Sequence, residues 1–288
     1  MQECEPRTLA LVADSAARFR EATPELLALA EQAAEAAVSR ENAFAPRSLT
    51  MLALALAARG VGGAPASGGP ELGEVAAFVR GEAMRQMQEF EPICCMALLD
   101  AFRRWGIRDR ELTDMALERI WDVSDELKSR DIVQLLVVMS KLGLARGALL
   151  RRLCQLAFGQ LWRFTGRQLV ATLHALARLR FVSALDVDRI LDALVPELGR
   201  LSDAQTAQLL VALALADATH RMDLACVLAA QLAQDPGARE LAADAGVAWA
   251  LCALGLGERY REALAGALAR VFAQAPPRSY VPLLQLFD

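Results

Sequence analysis

The sequence predicts an all-α protein, an α-solenoid of about seven helix-turn-helix repeats, and three observations support this fold class. First, the segments Phe90–Gly106, Leu127–Gly143, Phe164–Arg180 and Leu201–Asp217 resemble one another and follow at intervals of 37 residues. Second, each segment has an apolar leading residue, a short polar turn and about three helical turns with an apolar face. Third, 55% of the residues are hydrophobic but only 6% aromatic, and the abundant alanine and leucine are strong helix formers.

The chain begins with a predicted helix from Pro6 to about Glu21, because proline is well placed at a first helical position. The same Pro-Arg-Ser/Thr pattern recurs at Pro46 and Pro277, where the second helix of a repeat is expected. Residues 1–22 are therefore predicted to form an N-terminal capping half-repeat, and residues 23–288 the repeat array.

One low-complexity segment interrupts the array, at residues 60–70. Its density of Gly, Pro and Ser is typical of a loop without a core to bury. The interval from Phe44 to Phe90 is 46 residues instead of 37, so the loop is predicted to be an insertion between helices that leaves the stack intact.

Each repeat is predicted to contain a first helix, A, and a second helix, B. The predicted A helices after the loop are Glu71–Gln88, Arg110–Asp125, Gly147–Trp162, Leu185–Leu198, Met222–Ala233 and Glu258–Gln274. The predicted B helices are Pro92–Trp105, Arg130–Leu142, Arg167–Leu179, Asp203–Ala216, Asp244–Leu254 and Ser279–Phe287. Ser129 and Ser202 are candidate N-caps, Gly143 and Gly255 are expected to end B helices, and Pro196 should kink or shorten its helix.

Charge is distributed unevenly along the chain. No Asp or Glu occurs from Ile132 to Leu185, whereas eight positive charges lie there; since the total is −4, the rest of the chain carries −12. Ordinary surfaces intersperse both signs, and clustered arginines can hold RNA phosphates, although solvated helix faces would also account for them. The predicted RNA-binding residues are Lys141, Arg146, Arg151, Arg152, Arg163, Arg167, Arg178 and Arg180.

Two aromatic residues lie inside this acid-free window, Trp162 and Phe164. They fall at the end of an A helix and at the leading position of a B segment. Both are therefore expected to be part of the core and not platforms on which RNA bases stack.

No motif of catalysis is present. Nucleotide-binding glycine motifs, G-x-S-x-G and HExxH are all absent, and the two histidines, His174 and His220, have no evident catalytic partner. The six cysteines form no CxxC pair and are expected to be buried thiols in a reducing compartment. We therefore expect no enzyme, no catalytic residue, no metal ligand, no cofactor and no small-molecule substrate.

The sequence also contains no apolar run of about 18 residues, so no membrane span is expected. Glu3 and Glu5 are atypical of a transit peptide that starts at Met1.

The B helices at residues 169–179, 208–216 and 247–255 are rich in leucine and alanine, and with the 37-residue period they resemble heptatricopeptide and octotricopeptide repeats. Such repeats form the helical arrays of FAST-kinase-like and RAP-domain proteins, and the resemblance covers roughly residues 24–288. It implies an RNA-binding protein of an organelle, mitochondrial or alternatively plastid, whose RNA is an organellar rRNA or mRNA. No RAP-like segment is found, so a nuclease role is not expected.

The resulting expectation is a non-enzymatic, organellar RNA-binding helical repeat protein, a ribosomal protein or a factor associated with the mitochondrial ribosome, which holds RNA phosphates on a basic face. Its acidic total favours RNA contact over one patch and contacts with other protein subunits of a large assembly elsewhere. The alternative is a protein–protein scaffold without direct RNA contact. Convergence of the eight basic residues on one face would favour RNA, and their dispersal would favour the scaffold.

Overall fold

A computed structural model of the protein describes residues 7–8, 10–11, 44–58, 72–234 and 241–274. All regular structure within these ranges is helical, which confirms the all-α fold class. Arg7, Thr8, Ala10 and Leu11 of the predicted N-terminal helix are helical. The rest of the predicted capping half-repeat, the loop at 60–70 and the predicted helix at 279–287 lie outside the described residues.

The α-helices alternate between B and A members of the predicted pairs. The B helices are α1 (Pro46–Ala58), α3 (Pro92–Arg104), α5 (Ser129–Leu142), α7 (Gly166–Arg178), α9 (Asp203–Leu215) and α11 (Leu241–Ala253). The A helices are α2 (Leu72–Arg85), α4 (Arg110–Asp122), α6 (Gly147–Phe158), α8 (Ala184–Leu194), α10 (Met222–Gln234) and α12 (Arg261–Gln274).

The chain divides into two compact units, Met1–Val138 and Met139–Asp288, with the boundary inside α5. In the first unit, α1 packs against α2 and α3, and α4 packs against α2 and α3. In the second unit, the B helices α7, α9 and α11 pack side by side, and α8, α10 and α12 each pack against the B helix that precedes them in the chain. The second unit thus has a layer of B helices, against which the A helices α8, α10 and α12 pack.

Four A helices are shorter than predicted, because each ends in a 3₁₀ turn. The turns span Met87–Glu89, Ser124–Glu126, Leu161–Arg163 and Val195–Arg200. In each case the following apolar residue donates its backbone N–H to the carbonyl three residues earlier, at 3.1, 3.4, 3.0 and 3.3 Å in chain order. The tighter i→i+3 bonds satisfy the last carbonyls and let the chain reverse. The shortening at Pro196 was predicted; the other three breaks were not.

The B helices end in a recurrent C-cap. A residue with positive φ follows the helix at Gly106, Gly143, Arg180, Asp217 and Gly255. The next residue donates its N–H back across the last turn, as in the 2.9 Å bond from residue 181 to the carbonyl of residue 176, which is the Schellman arrangement. The predicted glycine ends are confirmed.

The predicted N-caps are half right. The Ser202 side chain accepts a hydrogen bond from the backbone N–H of Gln205, and the backbone N–H of Ser202 donates to the Gln205 side chain. The two bonds complete a capping box. Ser129 lies inside α5, so its prediction as the cap is wrong. The preceding residue, Lys128, holds that position, and its N–H donates to the Asp131 carboxylate at 3.2 Å.

No helix in the described ranges has the length and apolarity required to cross a membrane.

Candidate nucleic-acid interface

All eight basic residues predicted to bind RNA lie in the second compact unit. Seven of them are exposed and Arg152 is half-buried. Their positions on A and B helices divide them into two groups.

The B-layer group is centred on α7. Arg167 lies in its first turn and Arg178 is its last residue. Eleven residues are about three helical turns, so both arginines lie on the same face, about 16 Å apart along the axis. His174 lies between them on that face and is half-buried, whereas Leu169 and Leu173 on the opposite side are fully buried.

Three further residues extend this group at the ends of B helices. Arg163 closes the 3₁₀ turn that leads into α7, and Arg180 follows α7 in the left-handed conformation. Lys141 lies in the last turn of α5, at the position that Arg178 occupies 37 residues later. The B-layer arginines are thus found at both ends of α7.

The A-layer group belongs to α6. This helix buries Leu149, Leu150 and Leu153 and exposes Arg151 on the other side. Arg146 precedes the helix, and Arg146 and Arg152 each interact with another group of the protein. Arg151 therefore lies on an A helix, whereas Arg167 and Arg178 lie on a B helix, and from the pairing of A with B helices we expect them on different sides of the unit.

The B-layer arginines have no carboxylate partner within the described part of the chain; this holds for Arg163, Arg167, Arg178 and Arg180. The acid that approaches the start of α7 is Glu197, whose carboxylate accepts a hydrogen bond from Arg200 at 3.1 Å. Their charges are therefore available to an anionic ligand.

Trp162 was predicted to be part of the core, and this is wrong: 76% of the residue is exposed. The Arg163 guanidinium carbon lies 4.6 Å from the centre of the Trp162 ring, within the range of a cation–π interaction. Phe164, by contrast, is 7% exposed and belongs to the core as predicted.

The 37-residue register contains the signal that would have identified Trp162 as exposed. The equivalent positions of the neighbouring repeats are Gln88, Asp125 and Gly199, all of which are exposed. A polar or small residue at this position in three other repeats indicates a site that the core does not use. The tryptophan is therefore not required for packing there.

The two histidines have different surroundings. Burial, and then the charge of Arg178, lower the pKa of His174 to about 4. His220 is exposed, and its Nε2 lies 3.1 Å from Asp188 Oδ1, the same oxygen that accepts a 2.7 Å bond from Arg221. These contacts tie α8 to the turn before α10, as a structural link.

The thiols are free in the described residues, as expected, but not all are buried. Cys94, Cys95 and Cys154 are buried, whereas Cys252 is exposed. Burial raises the pKa of Cys95 to about 12 and that of Cys154 to about 11. The ranges that the structure describes contain no group of three His, Cys, Asp or Glu residues that could hold a metal ion.

These features define a class: an all-α protein of helical hairpins with a 37-residue period and an acid-free basic segment on the ends and exposed face of a B helix. Residues 74–221, slightly more than half of the chain, match the family described as RNA-editing substrate-binding complex 6 protein. The chain belongs to this family. A search of curated protein sequences found no match.

The matched residues include the eight basic residues and Trp162. The name of the family refers to a complex that binds the substrates of RNA editing. The match agrees with the RNA-related, helical character that the resemblance implied, and the narrower resemblance to heptatricopeptide and octotricopeptide arrays remains a prediction. Nothing in the match supports the expectation of a ribosomal protein.

Proposed function

We propose that the protein is a non-enzymatic subunit of a mitochondrial RNA-editing complex and that it helps to hold the RNA substrate. Membership of the RNA-editing substrate-binding family is the observation that carries this proposal. The mitochondrion is also one of the two organelles that the helical-repeat resemblance implies.

The charges of the second unit support direct RNA contact. Arg163, Arg167, Arg178 and Arg180 are exposed and have no carboxylate partner in the described residues. Guanidinium groups bind phosphate through planar, bidentate hydrogen bonds. The spacing of Arg167 and Arg178 along α7, about 16 Å, lets one extended strand engage both ends of the helix.

The acidic remainder of the chain supports a role inside an assembly. The net charge outside the window of residues 132–185 is −12, which would repel RNA from most other surfaces. The partners on those surfaces are other protein subunits, and of the organellar RNAs that the resemblance implies, rRNA or mRNA, the one bound is an editing substrate.

A salt series on the full-length protein tests this proposal. The affinity for a single-stranded oligoribonucleotide is measured at several salt concentrations, and log Kd is plotted against log salt. Each phosphate neutralised contributes about 0.7 to the slope for a single strand, so the four B-layer arginines predict a slope of about 3. Absence of binding near 0.1 M salt would contradict it.

A second candidate, the protein–protein scaffold, is favoured by one observation: the eight basic residues are divided between an A helix and the ends and exposed face of B helices. In that case the purified protein would not bind RNA, yet it would co-purify with other subunits of the complex. The salt series and a pull-down on the same preparation therefore separate the two functions.

A further inference from the structure

The turn that leads into α7 exposes a large aromatic ring in an otherwise basic environment. Trp162 is 76% exposed, more than any other large hydrophobic residue among those described. Trp121, the next most exposed tryptophan there, is 47% exposed and lies on α4 in the first unit. Removing apolar area from water is favourable, so a ligand that covers this ring would gain free energy from the contact.

Packing within the protein does not account for this tryptophan. The equivalent positions of neighbouring repeats hold Gln88, Asp125 and Gly199, and those turns form the same 3₁₀ geometry without an aromatic ring. The core contact of the turn is made by the leading residue, Phe164, which is 7% exposed. The side chain of Trp162 is thus free for a role outside the fold.

The immediate surroundings of the ring are cationic. The Arg163 guanidinium lies over the indole at 4.6 Å and covers one of its two faces, and Arg167 is exposed one helical turn further on. Glu197, the acid that approaches this end of α7, is paired with Arg200. The first turn of α7 is already capped by Thr165 and Gln168, so the feature is the ring with its arginines and not an open helix end.

An aromatic face beside unpaired arginines matches the chemistry of a single nucleotide. A base has a flat π-face that stacks on an indole whatever its identity, and its phosphates carry the charge that the arginines lack. Duplex RNA keeps its bases stacked inside the helix and unavailable for such contact. The occupant favoured by ring and charge together is single-stranded RNA.

We propose that Trp162 is a base-stacking residue of a single-stranded RNA site, with Arg163 and Arg167 holding the flanking phosphates. This inference rests on the proposed function, because it assigns the RNA contact to one turn. It predicts binding that tolerates any base sequence and requires an unpaired base.

The test uses the full-length protein and two oligomers of about ten units. One is an oligouridylate, and the other is an abasic ribose-phosphate chain of equal length and charge. The wild-type protein should bind the oligouridylate more tightly, with quenching of tryptophan fluorescence. Trp162→Ala should weaken oligouridylate binding by about 5- to 100-fold and leave abasic binding unchanged. Trp162→Phe should restore most of the difference, because a phenyl ring still stacks.

Trp121→Ala is the matched control, since it removes another exposed tryptophan and should change neither affinity. If Trp162→Ala binds both oligomers as the wild type does and the quenching persists, the stacking role is wrong, and the ring is better explained by a protein partner. The proposed function would survive that result as long as salt-dependent RNA binding is retained. If the wild type binds neither oligomer, the proposed function itself fails.

Discussion

Arg180 and Asp217 adopt a backbone conformation that glycine adopts at the equivalent helix ends. Their φ angles are 51° and 49°, against 74°, 66° and 70° at Gly106, Gly143 and Gly255. For a residue with a Cβ this left-handed conformation is unfavourable. The Schellman hydrogen bonds hold it in place at both non-glycine sites, so each site stores strain.

Replacing Asp217 by glycine should therefore stabilise the protein. We expect Asp217→Gly to raise the free energy of unfolding by about 0.5–1 kcal/mol, which is the strain relieved less the added entropy of the unfolded chain. Urea denaturation measures the change. Gly255→Ala is the matched control of opposite sign, since no atom lies within 4 Å of the new Cβ and only backbone strain is added. A gain in stability on Gly255→Ala would contradict the explanation.

His174 should make the protein less stable in mild acid. Its folded pKa is about 4, lowered from 6.5 by burial and then by Arg178. Between pH 6.5 and pH 4, His174 is protonated in the unfolded chain but neutral in the folded protein. The free energy of unfolding therefore falls as the pH drops from 6.5 towards 4, and His174 does not affect it above 6.5.

His174→Gln removes this titration. Between pH 7 and pH 5, the wild type should lose about 1–2 kcal/mol more than His174→Gln does, as measured by denaturation with urea. The difference between the two proteins is the relevant quantity, because carboxylates contribute equally to both. Parallel pH profiles would show that His174 is protonated without cost in the folded state.

At the scale of the element, the turn between A and B helices is the unit that repeats most accurately. Thr165 with Gln168, and Ser202 with Gln205, form capping boxes whose reciprocal bonds are 2.9 and 3.4 Å in both cases. Each box follows a 3₁₀ turn and an apolar leading residue. Hydrogen bonds between near neighbours thus set where a B helix begins, whichever side chains surround it.

Gly166, the first residue of α7, is where two such turns come into contact. A Cβ there would lie 2.9 Å from the Cβ of Glu197 and 3.3 Å from Leu201 Cδ2. Because Glu197 Cβ is fixed to the backbone, the turn of residues 195–200 would have to move. Gly166→Ala should cost about 1–3 kcal/mol of unfolding free energy.

Gly81 is the matched control for that substitution. It lies at an exposed position in the middle of α2, and a Cβ there would have no atom within 4 Å. Gly81→Ala should stabilise by about 0.5–1 kcal/mol, because alanine has the higher helix propensity. Thermal or urea unfolding of both variants gives the signs, and a neutral or stabilising Gly166→Ala would mean that the two turns do not touch as described.

At the scale of the whole molecule, charge is separated along the chain while shape repeats. The window of residues 132–185 carries +8 and the remainder −12. A field of this kind would attract an anionic strand to that window and repel it from the acidic remainder. The proposed RNA contact therefore concerns a small part of the protein.

Within that region the two layers should contribute differently to RNA binding. Arg167→Gln removes a B-layer charge and should lower the slope of log Kd against log salt by about 0.7, whereas the A-layer Arg151→Gln should leave the slope nearly unchanged. Both residues are exposed arginines without a carboxylate partner in the described residues, so they are matched in chemistry. Equal effects would indicate that RNA approaches without preference for the α7 face.

The sequence by itself determined the repeating part of this protein. Interactions between residues a few positions apart determine the period, the helix pairs, the buried Phe164, the glycine C-caps and the Ser202 cap. Such interactions can be recognised directly in the sequence. Three of the four 3₁₀ ends of the A helices were missed, because the apolar residues of a short 3₁₀ turn have a spacing similar to those of an α-helix; the end at Pro196 was predicted from its proline.

Only the tertiary structure decided which residues share a surface. Arg151 and Arg167 lie in the same acid-free window but on an A helix and a B helix, and the packing of those helices, not the spacing of the residues, decides which side each one faces. The exposure of Trp162 was decided in the same way, since an aromatic residue within an apolar segment is buried or exposed according to what packs above it. Side-chain position in a layered fold depends on contacts between distant segments, and a local pattern does not contain them.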